Sequence, residues 1–320
     1  MTDGRPPVEF GIYIPQIALG FDEILDRALR CERLGYRSYW LFDHLYAPGL
    51  PGVPALEGWT LATALLARTS RLRVGHLVLD NNLRHPALVA RMAATLDVIS
   101  GGRLELGIGS GSYEAEHPEG GFPWGTPAER SERLGEGLEV ITRMLGGDGG
   151  PVSFEGRHYR LAGLPSLPQP VQRPRPPIVV GGVGPKHTLP LVARYADVWN
   201  VPTYGLGVWK ERVPVLEACC REVGRDPGSI RRSVEAVLVI APDDASLAEV
   251  RARAERRYRG PGWGLEEGGF VGTPAALVDR IGALVDDGVT HFVFFPADRG
   301  DGSMVELFAE EVMGHFAGIR

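Results

Sequence analysis

Cysteine is scarce. The 320 residues hold three, Cys31, Cys219 and Cys220, and no CxxC pair. An odd count without metal-ligand spacing excludes a disulfide scaffold and a cysteine zinc site, and it fits a reduced, cytoplasmic protein. Lysine is scarcer still: Lys186 and Lys210 are the only two among 34 basic residues, which face 40 acidic ones for a net charge of −6. An acidic balance argues against a nucleic-acid partner, which requires a basic face. Long hydrophobic runs are missing too. The best, Trp59 to Ala67, spans nine residues, whereas a membrane-crossing helix needs about 20. Met1 to Pro7 carries no apolar signal core. No membrane partner is expected.

Glycine and proline are abundant, 43 and 26 residues. They are scattered between apolar segments rather than arranged in tandem, which excludes collagen and argues for many tight loops. With 44% apolar residues, the chain can bury a sizeable core.

Short apolar runs recur along the chain: Val8–Ile14, Ser38–Phe42, Leu72–Leu79, Arg103–Ile108, Ile178–Val180, Val198–Val201, Val234–Ile240 and Phe292–Phe295. Several are apolar at nearly every position, the pattern of parallel strands buried on both faces. Between them lie helical stripes, such as Leu88, Met92, Leu96 and Ile99, or Leu134, Leu138, Ile141 and Leu145. Gly35 and Gly288 read as helix C-caps. Thr126-Pro-Ala-Glu129 reads as a capping box, and Thr273-Pro274 as another helix start. Eight strands alternating with helices predict a single α/β domain over residues 1–320, a (β/α)8 TIM barrel; a doubly wound open sheet is the alternative. Three stretches exceed simple connections and read as insertion loops at the C-terminal face: 45–58, 110–127 and 146–177. The last contains a hairpin around Ser153–Tyr159.

Barrel enzymes place their sites at the C-terminal ends of the strands. The second run ends in Asp43-His44, the third holds His76-Leu77-Val78, the fourth ends in Gly107-Ile-Gly-Ser-Gly111, the fifth in Gly181-Gly182-Val183 and the sixth at Asn200. Glycine lets backbone N–H groups approach a phosphate closely, and a helix start adds favourable partial charge. The Gly109–Gly111 and Gly181–Gly182 segments, the second with Lys186 in the first turn of the next helix, therefore read either as an anion cradle or as plain tight turns. The Gly107–Gly111 segment is not a dinucleotide fingerprint, because a third glycine after Gly107 and Gly109 would fall at position 112, which is Ser112. His44 can give or take a proton near neutrality, with Asp43 to orient it, or can be a structural loop histidine. His76, within a strand, reads equally as a core residue. His117 lies near Glu114 and Glu116, but without HxH or HExxH spacing the segment reads as a solvated loop and no metal site is expected. The Arg251–Arg259 run reads as a solvated helix face. Trp59, Trp124, Trp199 and Trp263 read as packing residues.

These motifs together resemble the luciferase-like monooxygenase superfamily: Asp43-His44, Arg84-His-Pro86, the stretch Leu96–Gly111, Gly181-Gly182 and Tyr195–Asn200. Within it, the chain is most similar to oxidoreductases that use the deazaflavin coenzyme F420. The resemblance covers residues 8 to about 315. It implies a TIM barrel with the cofactor ring at the C-terminal mouth. Asp43 and Asn200 would help bind the cofactor, and its ring would pack against a non-prolyl cis peptide near His76-Leu77-Val78. The phosphate-bearing tail would run past Gly109-Ser110-Gly111 and Gly181-Gly182-Val183. His44 would be the catalytic acid or base, with Glu114 a remote second. The substrate would be a small organic molecule, and related barrels commonly pair as homodimers. The chain departs from the sugar-phosphate dehydrogenases of that branch: Ser112 stands where some carry an acidic residue, and their basic cluster is not evident. The alternatives are an FMN-dependent monooxygenase and a non-catalytic flavin-binding barrel.

Overall fold

A computed structural model describes residues 7–258 and 265–317; Arg259 and Trp263, and all but the last residue of Met1–Pro7, fall outside that range. Eight parallel strands close a barrel. They are β1 (Glu9–Tyr13), β2 (Ser38–Leu41), β3 (Arg73–His76), β4 (Leu104–Gly109), β5 (Ile178–Gly181), β6 (Val198–Val201), β7 (Arg231–Ile240) and β8 (Val289–Pro296). Each pairs with the next, and β8 returns to β1 with Phe10 opposite Phe292. All eight coincide with the apolar runs of the sequence. The third run is broken after His76, where the Leu77–Val78 peptide is cis; Leu79–Asp80 then resumes pairing beside β4. Phe270–Gly272 adds a short strand beside β7.

Alternation within the strands divides the core in two. Outward-facing residues such as Phe10, Val74, Leu106 and Phe294 pack under the helices. Inward-facing Trp40, Val179, Val198 and Val293 fill the barrel, with Tyr13 and Leu77 against them. A polar chain crosses this interior. Asn200 Nδ2 donates to Ser233 Oγ (3.2 Å), Ser233 Oγ meets His291 Nδ1 (2.9 Å), His291 Nε2 meets Ser38 Oγ (3.3 Å), and Trp40 Nε1 donates to Ser38 Oγ (2.8 Å). Burial, reinforced by Arg231, Arg37 and Arg73, holds the His291 imidazole well below its ordinary pKa, so the ring is neutral within this chain.

The helix signals hold. Thr126 and Glu129 form a reciprocal capping box at the start of Pro127–Leu145, Gly35 closes Phe21–Leu34 at φ +89°, and Pro274 opens Pro274–Asp286. Arg251 to Arg257 of the Arg251–Arg259 run lie on the largely exposed helix Asp244–Arg257, whose Ala254 is buried, and Tyr258 just beyond it is buried too. The hairpin spans Pro151–Glu155 and Arg160–Pro165. It folds back along Pro127–Leu145 until Tyr159 reaches Asn81 Nδ2 (3.1 Å) and the His85 ring.

Much of the Leu96–Gly111 motif serves the opposite end of the barrel. Asp97 accepts from Gln172 N (2.9 Å) and Nε2 (2.7 Å), tying down the return into β5. Arg103 donates to the Leu66 carbonyl near the end of Gly58–Arg68 (2.7 Å) and to Leu72 O (2.9 Å) beyond it, and Glu105 pairs with Arg73. Only its last three residues reach the site.

Candidate active site

Asp43, His44, Leu77, Val78, Gly109, Ser110, Gly111, Gly181, Gly182, Val183 and Asn200 line one cavity of about 370 Å³ at the C-terminal ends of β2 to β6. His76 does not. Its side chain points outward, is fully buried, and stacks on Trp59 with ring centres 5.6 Å apart and planes 7° from parallel. Leu77 and Val78, which follow it, line the cavity instead. Val78 lies on glycine backbone: a Cβ at Gly109 would fall 2.7 Å from Val78 Cγ2, and one at Gly107 would fall 1.9 Å from the His76 carbonyl oxygen. The result is a flat apolar floor, a shape that fits a planar ring.

Gly182 has φ +117°, a conformation that glycine alone adopts without strain. Its N–H, however, donates to Asn200 O (3.0 Å), and its carbonyl accepts from Trp199 Nε1 (2.8 Å). That N–H is part of the barrel ladder and does not face a phosphate. The following helix begins at Thr188, so Lys186 precedes its first turn. The rim there is formed by Val183, Gly184 and Thr188. Gly111, at φ +91°, is needed for a different reason: a Cβ would fall 2.6 Å from Asp80 Oδ2.

His44 is not oriented by Asp43. Asp43 turns away to receive Arg84 in a fork (2.7 and 2.9 Å) and the Asp80 N–H (2.9 Å). The partner of His44 is Glu116, fully buried, with Oε1 2.7 Å from His44 Nδ1 and Oε2 accepting from Leu45 N–H at 2.7 Å. A carboxylate accepts only, so Nδ1 carries a hydrogen and Nε2 is the nitrogen left for chemistry. Phe42 and Tyr113 flank the ring at 5.3 and 6.2 Å.

The segment expected to be a solvated loop is the short helix Glu116–Gly120, and its first two residues are fully buried. It folds over the ends of β2 and β4, which removes Glu116 and His117 from water. His117 Nδ1 meets the Tyr113 carbonyl (3.0 Å), its Nε2 faces Asp80 Oδ2 (3.0 Å), and Trp124 packs on its ring. Asp80, Glu116 and His117 thus bring three ligand-type atoms within 4.8 Å, each facing a partner within the protein. Burial raises the Asp80 carboxyl above its usual range, against the Asn82 N–H and His117, which lower it. Glu114 is exposed and away from the cavity.

Sequence reasoning also missed Glu235. It stands within the apolar run of β7 and shows its side chain to the cavity. Lying deep between the strands, it is pushed up to about 7 by burial. One charged residue at an inward position of an otherwise apolar strand was the available signal.

Among the described residues, no helix is long and apolar enough to cross a membrane. The F420-dependent glucose-6-phosphate dehydrogenase of Microbacterium testaceum (strain StLB037) is 28% identical over 332 residues, covering 96% of this chain and 97% of that protein. Among solved structures, an F420-dependent secondary alcohol dehydrogenase in complex with an F420-acetone adduct superposes with TM-score 0.80 at 21% identity, covering 98% of this chain and 100% of that one. The EDTA monooxygenase of Chelativorans sp. BNC1 superposes with TM-score 0.81 at 17% identity, covering 97% and 94%. Residues 8–265 match the model of the luciferase-like monooxygenase family, and with this barrel and this mouth the chain belongs to that family.

Proposed function

We propose that this chain is a coenzyme F420-dependent oxidoreductase acting on a small organic substrate. The observation that carries the proposal is a histidine at the cavity wall, His44, whose ring is fixed by a buried carboxylate, in a chain similar over nearly its whole length to an F420-dependent dehydrogenase. The bound deazaflavin would supply or accept the hydride. The chain's own residues hold and protonate. Leu77, with Val78 seated on Gly109 and Gly181, forms the floor for the ring. Ser110, Gly111, Val183, Gly184 and Thr188 border the exit for a phosphate-bearing tail. His44 Nε2 gives or takes the proton that balances hydride transfer, worth about 10²–10⁴-fold in rate. Glu116 keeps the hydrogen on Nδ1.

The second reading, an FMN-dependent monooxygenase, is favoured by the family and by the likeness to a monooxygenase of known structure. Turnover separates the two. Under strict anaerobiosis, protein loaded with reduced F420 and given a panel of ketones should oxidise the deazaflavin. Turnover that requires FMN and consumes oxygen would replace this reading with the second.

A further inference from the structure

Glu235 has no role in the chemistry described so far, yet it opens into the same cavity as His44. Strand β7 places it: Ser233 and Glu235 alternate inward, Glu235 stands opposite Val293 of β8, and Thr203 Oγ1 donates to its carbonyl (3.1 Å), fixing the backbone. Tyr13 of β1 and Tyr204 of the turn Thr203–Val208 face the carboxyl closely enough that its charge raises both phenols, after burial. Among the described residues the carboxyl makes no hydrogen bond and no ion pair, and none of the cavity-lining residues is Lys or Arg. Besides Tyr204, the other titratable groups on the lining are His44, paired with Glu116, Asp43, paired with Arg84, and Asp80, facing His117. Glu235 is therefore the one cavity acid without a protein partner among the described residues. Half-buried and without a protein partner, the carboxyl is left to whatever occupies the cavity.

We propose that Glu235 selects the substrate, accepting a hydrogen bond from a hydroxyl or ammonium group, so that the cavity takes neutral or cationic organic molecules and disfavours anionic ones. This rests on reading the cavity as an oxidoreductase site. It sets the chain apart from a sugar-phosphate enzyme. Because burial pushes the carboxyl up to about 7, the sign is fixed: above that pH it is ionised and accepts with its full charge, below it only a weaker neutral acceptor remains, so affinity for a donor group rises with pH.

Three ligands of matched size test this by calorimetry on F420-loaded protein at pH 8.5: cyclohexylmethylamine, cyclohexylmethanol and cyclohexanecarboxylate. A hydrogen bond to a charged group predicts that amine and alcohol bind about 10-fold or more tighter than the carboxylate. Glu235→Gln should close that gap. If the variant does not fold, the wild-type protein alone decides, because alcohol affinity must rise between pH 5.5 and 8.5. Equal or tighter carboxylate binding, a gap that survives in Glu235→Gln, an alcohol affinity flat with pH, or no binding of any of the three overturns the proposal. Deazaflavin fluorescence in the same samples reports cofactor retention. Discrimination that persists in protein unable to retain F420 would sink the cofactor reading and leave this one standing.

Discussion

Replacing Glu116 with glutamine tests the His44 geometry with almost no change of shape. The carboxylate accepts from His44 Nδ1 and from Leu45 N–H, 2.7 Å each, in a fully buried place. Glutamine offers one acceptor and one donor. If its oxygen keeps Leu45 N–H, its NH2 faces Nδ1, and the imidazole must move its hydrogen to Nε2, the nitrogen needed as a base. If its oxygen keeps Nδ1, its NH2 is driven against Leu45 N–H. Either arrangement forfeits a charge-assisted hydrogen bond, about 1.5–3 kcal/mol. At 1.36 kcal/mol per decade this is about 10- to 150-fold in rate. Single-turnover oxidation of bound reduced F420 by a ketone should slow by that factor in Glu116→Gln, with KM and deazaflavin affinity little changed. Urea denaturation should report a folded protein, destabilised by about 1–3 kcal/mol. A folded variant whose single-turnover rate stays within about twofold of wild type would refute the dyad.

Three other outcomes follow from the structure. His44→Ala should lower turnover by about 10²–10⁴-fold while leaving F420 affinity nearly intact, and a folded variant that retains full turnover would return His44 to a structural role. Gly107→Ala should destabilise the barrel by about 1–3 kcal/mol, because a Cβ there meets the His76 carbonyl oxygen at 1.9 Å; an unchanged urea midpoint would contradict the packing of β3 on β4. His291 is held well below its ordinary pKa by burial and then by Arg231, Arg37 and Arg73. The unfolded chain therefore binds its proton first, and stability falls as pH drops below about 6.5. His291→Asn should show a shallower acid loss in pH-dependent denaturation, and an unaltered slope would exclude this residue as a source.

The barrel was legible because strands buried on both faces have no choice of residue. Val179, Val180, Phe292 and Phe294 must be apolar whichever way they point. The closing partner of β1 could be inferred only from the count of eight, since no local pattern records a contact between Phe10 and Phe292. The cavity was legible where strand ends are punctuated by glycine, and Gly109, Gly111 and Gly182 each have a steric reason for it. Their stated purpose was less legible, because whether the Gly182 N–H faces a ligand or the neighbouring strand depends on register. His76 was misplaced because the run offers no local mark of its facing: the alternation that turns Val74 outward turns His76 outward too, onto Trp59, and leaves the cavity to Leu77 and Val78. Glu116 and His117 were hidden for another reason. In a segment as polar as Glu114-Ala-Glu-His-Pro-Glu119, burial is imposed by the strands beneath it and leaves no periodicity to read. Asp43 is adjacent to His44 in sequence yet faces Arg84.

The central claim is that this mouth holds a deazaflavin and uses it for hydride transfer, and cofactor affinity tests it most directly. Purified protein stripped of cofactor should be titrated with F420 and with FMN under the same conditions, by calorimetry. The account predicts that F420 binds more tightly than FMN. Micromolar affinity for FMN with no heat from F420 would contradict it.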